Sequence, residues 1–181
     1  MTAPPSDYFE ILGLTEGLRL DAKDLQTRFY KYSREYHPDR CARGSGEQKA
    51  FALEATAILN DAFRTLREPV SRAEYVMRKH GLDIGEQRTK DVPPELLEEV
   101  FDLNMALEEL KAGDEDARGP LAESLEKFKR MRGGIDGELD VLFGAFDGGD
   151  KSALTSIRGV LNRRRYITNL IREANVYLSA N

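Results

Sequence analysis

The chain has 181 residues, enough for one or two small domains with real cores, and its 40% apolar and 33% charged content describes an ordered, highly charged protein. A formal net charge of -5 argues against nucleic acid as the main partner, and no apolar run approaches the length of a membrane span. The single cysteine, Cys41, cannot form an intrachain disulfide and suits a reducing compartment such as the cytoplasm, and Met1–Ser6 has neither the basic nor the apolar region of a secretory signal.

Residues 1–5 are expected to form a short disordered tail. Ser6 or Asp7 can cap a first helix, which Gly13 ends. From Asp21 to Tyr36, placing residues at about 100° per position puts Leu25, Phe29, Tyr32 and Tyr36 in an arc of roughly 60°, a core-facing stripe. Arg28, Lys31 and Arg34 fall in an adjoining solvent-side arc of roughly 120°, with Asp24 and Glu35 among them. Pro38 ends this helix, because the residue before a proline is pushed out of helical geometry. That residue is His37, so its imidazole projects from a helix end beside the carboxylate of Asp39. Gly44-Ser45-Gly46 supplies flexible chain before a helix from about Glu47 to Arg67, with Phe51, Ala55, Ile58, Leu59, Ala62 and Leu66 along one side. That helix stops near Glu68-Pro69, and Ser71 is expected to cap another, Arg72 to His80, closed by Gly81. Residues 81–92 have Gly, charge and no period, and are expected to link a domain at 1–80 to one at 93–181.

From Pro93 onward the pattern is helical. Pro93-Pro94 starts one helix, which runs to about Lys111 and is broken at Gly113-Asp114. A second spans roughly Ala117 to Phe146, with Leu121, Leu125, Phe128, Ile135, Leu139 and Leu142 as its apolar set and a possible kink at Gly133-Gly134. The last, from about Lys151 to Leu178, carries Ile157, Val160, Ile167, Ile171, Ala174 and Leu178 at three–four spacing, interrupted by Arg164. Three helices joined by short turns imply an up-down-up bundle, so the predicted fold is all-α. The first bundle helix has more apolar surface than one core needs. Leu96, Val100, Leu103, Leu107 and Leu110 fill one arc, while Leu97, Phe101 and Met105 form a second stripe displaced by roughly 140° and bordered by Glu98, Asp102 and Glu109. That stripe is either packing surface or a partner site with an acidic border. On the last helix Tyr166, Leu170 and Tyr177 lie off the core stripe beside Arg163-Arg164-Arg165, with the same two readings.

The order of Asp7-Tyr8-Phe9-Glu10-Ile11-Leu12-Gly13-Leu14, the basic helix, His37-Pro38-Asp39 and then Ile58-Asn60-Ala62-Phe63-Leu66 resembles the J domain of DnaJ-type co-chaperones over roughly residues 6–68. Adding Arg72-Ala73-Glu74-Tyr75-Val76-Met77, His80-Gly81-Leu82-Asp83 and an acidic helical bundle, the whole chain is similar to the HscB family of iron–sulfur cluster assembly. The resemblance implies an N-terminal J domain, an antiparallel helix pair plus short helices, linked to a C-terminal three-helix bundle. It implies an adaptor rather than an enzyme, with no cofactor and with two protein partners. His37, Pro38, Asp39, Arg28, Lys31, Arg34 and Arg40 would meet a DnaK/HscA-type chaperone and stimulate its ATPase. Leu97, Phe101, Asp102, Met105 and Tyr166 would hold an IscU-type scaffold protein. Leu97, Phe101 and Asp102 match the family's scaffold-binding pattern in kind, and Arg165-Tyr166-Ile167 matches its aromatic context on the last helix. Glu98 replaces an apolar residue, and Met105 stands where an acidic one is usual.

Three other readings compete. The bundle could serve a different client. His37 with Asp39 could be an acid–base pair, but the sequence offers no phosphate loop and no second catalytic cluster, and His80, the other histidine, fits a helix C-terminus. His37, Asp39 and Cys41 could hold a metal, though structural sites need four ligands dominated by Cys or His, so none is expected.

Overall fold

The computed structural model describes residues 3–41, 44–82 and 94–179, apart from the side chains of Arg40, Cys41 and Glu95. Among these the regular structure is helical: α1 (Tyr8–Ile11), α2 (Ala22–Glu35), α3 (Gly46–Leu66), α4 (Pro69–Lys79), α5 (Leu97–Lys111), α6 (Arg118–Asp147) and α7 (Ala153–Ser179), with short 3-10 turns at Pro38–Cys41, Pro94–Leu96 and Glu115–Ala117. The residues group into two compact units, Met1–Asp83 with Phe143–Lys151, and Ile84–Leu142 with Ser152–Asn181. The expected division at 81–92 assigned residues 143–151 to the bundle, whereas they group with the N-terminal unit. The expected linker falls outside the described residues from 83 to 93.

In the first unit the cap expected at Asp7 is made, and Asp21 and Ser45 cap the next two helices. Asp7 accepts the N–H groups of Phe9 and Glu10 at 2.8 and 3.1 Å, and Asp21 accepts that of Asp24. Ser45 and Gln48 form a capping box at the start of α3, satisfying two otherwise orphan donors. Phe29 stacks on Phe63 at 4.2 Å while Tyr36 meets Phe51 edge-on at 6.2 Å, so α2 and α3 run antiparallel. Leu25, Ala55, Leu59, Ala62 and Leu66 are buried between the helices and α1, whose Phe9 and Ile11 complete the core. Full burial of each of the larger side chains stabilises by about 1.5–3 kcal/mol.

Two expectations for this unit need correction. Pro4 is buried, so the tail packs from its fourth residue. Helix α4 starts at Pro69 with Glu68 as N-cap, not at Arg72 behind Ser71. A proline at the first helical position gives up a donor that would be unpaired anyway, so Pro69 begins one helix as it ends the other. Arg72 then lies inside α4 and is buried, donating from a guanidinium nitrogen to the Leu66 carbonyl at 2.7 Å, where a cation meets the C-terminal end of α3. Burial pulls its pKa down, while the charges of Asp147 and Glu68 oppose that shift.

The turn at the end of α6 belongs to this unit. The Asp147 carboxylate accepts the backbone N–H groups of Leu18 and Arg19 at 2.7 and 2.8 Å. A carboxylate is disfavoured at a helix C-terminus, and these two amides offset the unfavourable dipole. The Arg19 guanidinium lies close over Gly144, where a Cβ would come within 2.7 Å of it and the flexible arginine would have to shift.

In the second unit Lys127 pairs with Glu99 at 3.4 Å, and Arg164 pairs with Asp136 at 2.7 Å. Arg118 donates to the Leu178 carbonyl, so α6 runs antiparallel to both α5 and α7. This is the expected up-down-up bundle. Helix α6 runs unbroken through Gly133 and Gly134. Leu103, Leu121, Phe128 and Ile167 are fully buried at its centre. Leu170, expected off the core stripe, is buried, because a helix flanked by two others hides a wider arc than a single stripe.

Candidate functional site

Two surfaces carry the residues singled out from sequence. The first is the tip of the α2–α3 pair. Helix α2 ends at Glu35, Tyr36 caps it, and His37-Pro38-Asp39 leads into a 3-10 turn rather than an open loop. The Thr56 hydroxyl donates to the Tyr36 carbonyl at 3.0 Å, which fixes the neck of the tip to α3. The Asp39 N–H donates to His37 Nδ1 at 3.2 Å, and the Asp39 carboxylate lies 3.6 Å from the same nitrogen. The side chains of His37 and Asp39 are 56% and 90% exposed, and Pro38 is half-buried. The tip therefore presents an imidazole and a carboxylate on a 3-10 turn whose neck is tied to α3.

The basic face divides. Lys31 and Arg34 are exposed, with Lys31 over the Tyr32 ring at 5.0 Å and Arg34 without an ion-pair partner among the described residues. Arg28 is instead occupied. It pairs with Asp24 at 2.8 Å and donates to the Gly13 carbonyl, locking the turn after α1 to α2. The side chains of Arg40 and Cys41 lie outside the described residues.

Behind the tip, Lys79 bridges Asp7 and Glu16, the latter at 2.7 Å, and Glu16 also meets His80 at 2.7 Å. Burial alone would raise both carboxyls. The bonds to Asp7 from Lys79 and two amides, and to Glu16 from His80 and Lys79, outweigh it and hold both below the usual range. Asp7 and then Glu16 raise the Lys79 pKa in turn. His80, expected at a helix end, is the C-cap of α4.

The second surface is on α5. Leu97, Phe101 and Met105 are 56%, 66% and 50% exposed, while Val100, Leu103 and Leu107 of the other stripe are buried. Within its own unit the stripe is therefore not part of the packed core. Asp102 is exposed beside it. Lys111 reaches Glu173 at 3.8 Å and lies over the Tyr177 ring at 5.0 Å, so α5 and α7 run in the same direction. Tyr166, Leu170, Glu173 and Tyr177 follow four–three–four spacing on one face of α7, the face turned to α5. Tyr166 lies about three turns before Tyr177, and Phe101 about three turns before Lys111, so both stand at one level. Tyr166 is half-buried, and burial raises its hydroxyl pKa. The stripe is thus a contiguous exposed apolar surface rimmed by acid.

Arg72, Asp147 and the charges along α6 were missed as positional residues. Arg72 follows Pro69 at helical spacing, a signal that was available. Asp147 had none, since its partners are the distant backbone amides of Leu18 and Arg19.

A family model for the DnaJ domain matches residues 7–75. Among solved structures the chain is similar to the chaperone HscB from Vibrio cholerae, at 26% identity over 94% of this chain and 96% of that one, with a TM-score of 0.64. It is also similar to the human co-chaperone protein HscB, at 26% identity over 97% of this chain and 85% of that one, with a TM-score of 0.68. No helix among the described residues is long and apolar enough to cross a membrane. A DnaJ domain at residues 7–75 that carries an exposed His37-Pro38-Asp39 tip, with a likeness to HscB that runs nearly end to end, supports a J-domain co-chaperone of the HscB type.

Proposed function

We propose that the protein binds an IscU-type iron–sulfur scaffold through its bundle and delivers it to a DnaK/HscA-type chaperone, whose ATPase its J domain stimulates. The observation that carries this reading is the coexistence of the exposed His37–Asp39 tip with the exposed Leu97, Phe101 and Met105 stripe. His37, Pro38 and Asp39 make the chaperone contact, with Lys31 and Arg34 steering an acidic patch toward it and Arg40 beside them. Arg28 contributes mainly by holding the turn at Gly13. Leu97, Phe101, Met105 and Tyr166 receive the scaffold, and Asp102 orients it. The N-terminal unit, with residues 143–151, and the rest of the bundle divide the two tasks, in a cytoplasmic setting. The chain itself performs no chemistry in this reading; it regulates a partner's ATP hydrolysis.

The test is ATP hydrolysis by a purified DnaK/HscA-type chaperone, measured with the protein, with the scaffold and with both. Stimulation by the protein alone and a further rise with scaffold are expected. His37→Gln should abolish both while shifting stability by less than about 0.5 kcal/mol, as for an exposed substitution. Full stimulation by that variant overturns the chaperone assignment. Stimulation by the protein that scaffold does not change points to a different client for the bundle.

A further inference from the structure

Between α5 and α6 runs a groove of about 470 Å³ that begins beside Met105. Asp102 and Glu109 form its α5 rim, and Glu123, Lys127 and Arg130 its α6 wall. The Glu99–Lys127 pair sets the two antiparallel helices level with each other. Arg130, about one turn beyond Lys127, then stands level with the start of α5, where Leu97 lies. Glu123, about one turn before Lys127, stands level with Asp102. Of the charges that line the groove, Lys127 and Arg130 therefore stand toward the first turn of α5, where Glu99 already pairs with Lys127, and Asp102, Glu109 and Glu123 stand farther along it.

Elsewhere in this unit helix-surface charges are largely paired, Lys111 with Glu108, Lys129 with Glu126, Arg163 with Glu138 and Arg164 with Asp136. In the groove, Lys127 is paired, whereas Asp102, Glu109, Glu123 and Arg130 have no ion-pair or hydrogen-bond partner among the described residues. These four charges are left unmatched within the fold although a neighbouring helix faces them.

We propose that the groove takes a charged segment of the same partner that covers Leu97 and Phe101, and that its polarity fixes the direction in which that segment lies. The segment sets a carboxylate toward Arg130 and a cation toward Asp102 and Glu109. This inference rests on the scaffold contact proposed above. Met105 and Asp102 belong to both surfaces, so a partner seated on the stripe meets the groove at its rim. Apolar contacts at the centre carry affinity, and complementary charges at the edge carry register and rejection of wrong partners. Arg130 is in this sense a specificity-determining residue contributed by a second helix.

The experiment titrates a purified IscU-type scaffold against the intact protein at low and moderate ionic strength. Arg130→Glu should weaken binding by about tenfold and flatten its salt dependence, Glu123→Lys should weaken it less, and Arg130→Lys should keep most of the affinity because the charge is retained. Thermal midpoints of all three should match the parent, and if Arg130→Glu folds poorly, Arg130→Gln gives the same reading with a smaller loss. Unchanged affinity and salt slope in the Arg130 variants overturn the groove while leaving the apolar contact standing, provided Leu97→Ser with Phe101→Ser abolishes binding. Normal binding by that apolar double variant overturns both.

Discussion

His37 and Asp39 are exposed because the backbone before Pro38 cannot stay helical; Leu97, Phe101 and Met105 are exposed because α5 has two apolar faces and the bundle has one core. The first exposure is enforced by covalent geometry and held by a turn, so nothing in the fold depends on which side chains stand there. The second has no local cause. An apolar face left in water is unfavourable by the same area rule that builds the core, and folding does nothing to relieve it. A polar tip of this kind has a cause in the backbone, whereas the uncovered apolar stripe has none within its own unit.

The contrast breaks hardest at α5. Leu97→Ser combined with Phe101→Ser should weaken scaffold binding by about two decades or more, at about 1.4 kcal/mol per tenfold, with no loss of thermal stability. The buried neighbour Leu103→Ala should do the reverse, costing about 2–5 kcal/mol of stability. Titration calorimetry and thermal melts on the same samples separate the two, and a sharp drop in midpoint for the exposed pair would show that the stripe is core after all.

Loosening the body behind the tip sharpens the other side. Asp147→Ala removes the acceptor of two amides and should cost about 1–2 kcal/mol in denaturant unfolding of the intact protein, with ATPase stimulation per folded molecule unchanged. Lost stimulation in a fully folded variant would mean that the tip needs more than its own turn.

The smallest effect is pH-dependent. Asp7 and Glu16 titrate below their unfolded values, so their contribution is present above about pH 4 and lost as pH falls through the folded values. Lys79 is shifted the other way, so its share is complete below about pH 10 and lost only above that. Stability of the parent should therefore decline from about pH 4 downward by about 1 kcal/mol more than that of Lys79→Met, the scale of partly exposed ion pairs. Parallel pH profiles for the two proteins would remove the clasp from the account.

Much of this was legible in the sequence because it is periodic or local. The cap at Asp7, the terminator Gly81 with its positive φ of 75°, and the two stripes of α5 all follow from spacing within one helix, whereas Ser45, read as flexible chain, caps α3 in a box with Gln48. What escaped depends on helices meeting. Leu170 looks off the stripe until two neighbours widen the buried arc. Arg130 and Glu123 look like ordinary surface charge until α5 lies beside them and leaves them unmatched. Pro69 carried its own signal, since the residue that halts one helix is also the best first residue of the next.

Asp147 also has a consequence for how the protein is made. The ribosome delivers the chain from its N-terminus at about 5–20 residues per second, and an N-terminal domain ordinarily folds as soon as it emerges. Here the amides of Leu18 and Arg19 wait for an acceptor encoded 129 and 128 positions later. The unit that carries the His37-Pro38-Asp39 tip can close fully only after most of the second unit has been synthesised. A nascent chain halted before residue 143 lacks that acceptor, so the completed tip unit comes into being almost together with the exposed stripe of α5.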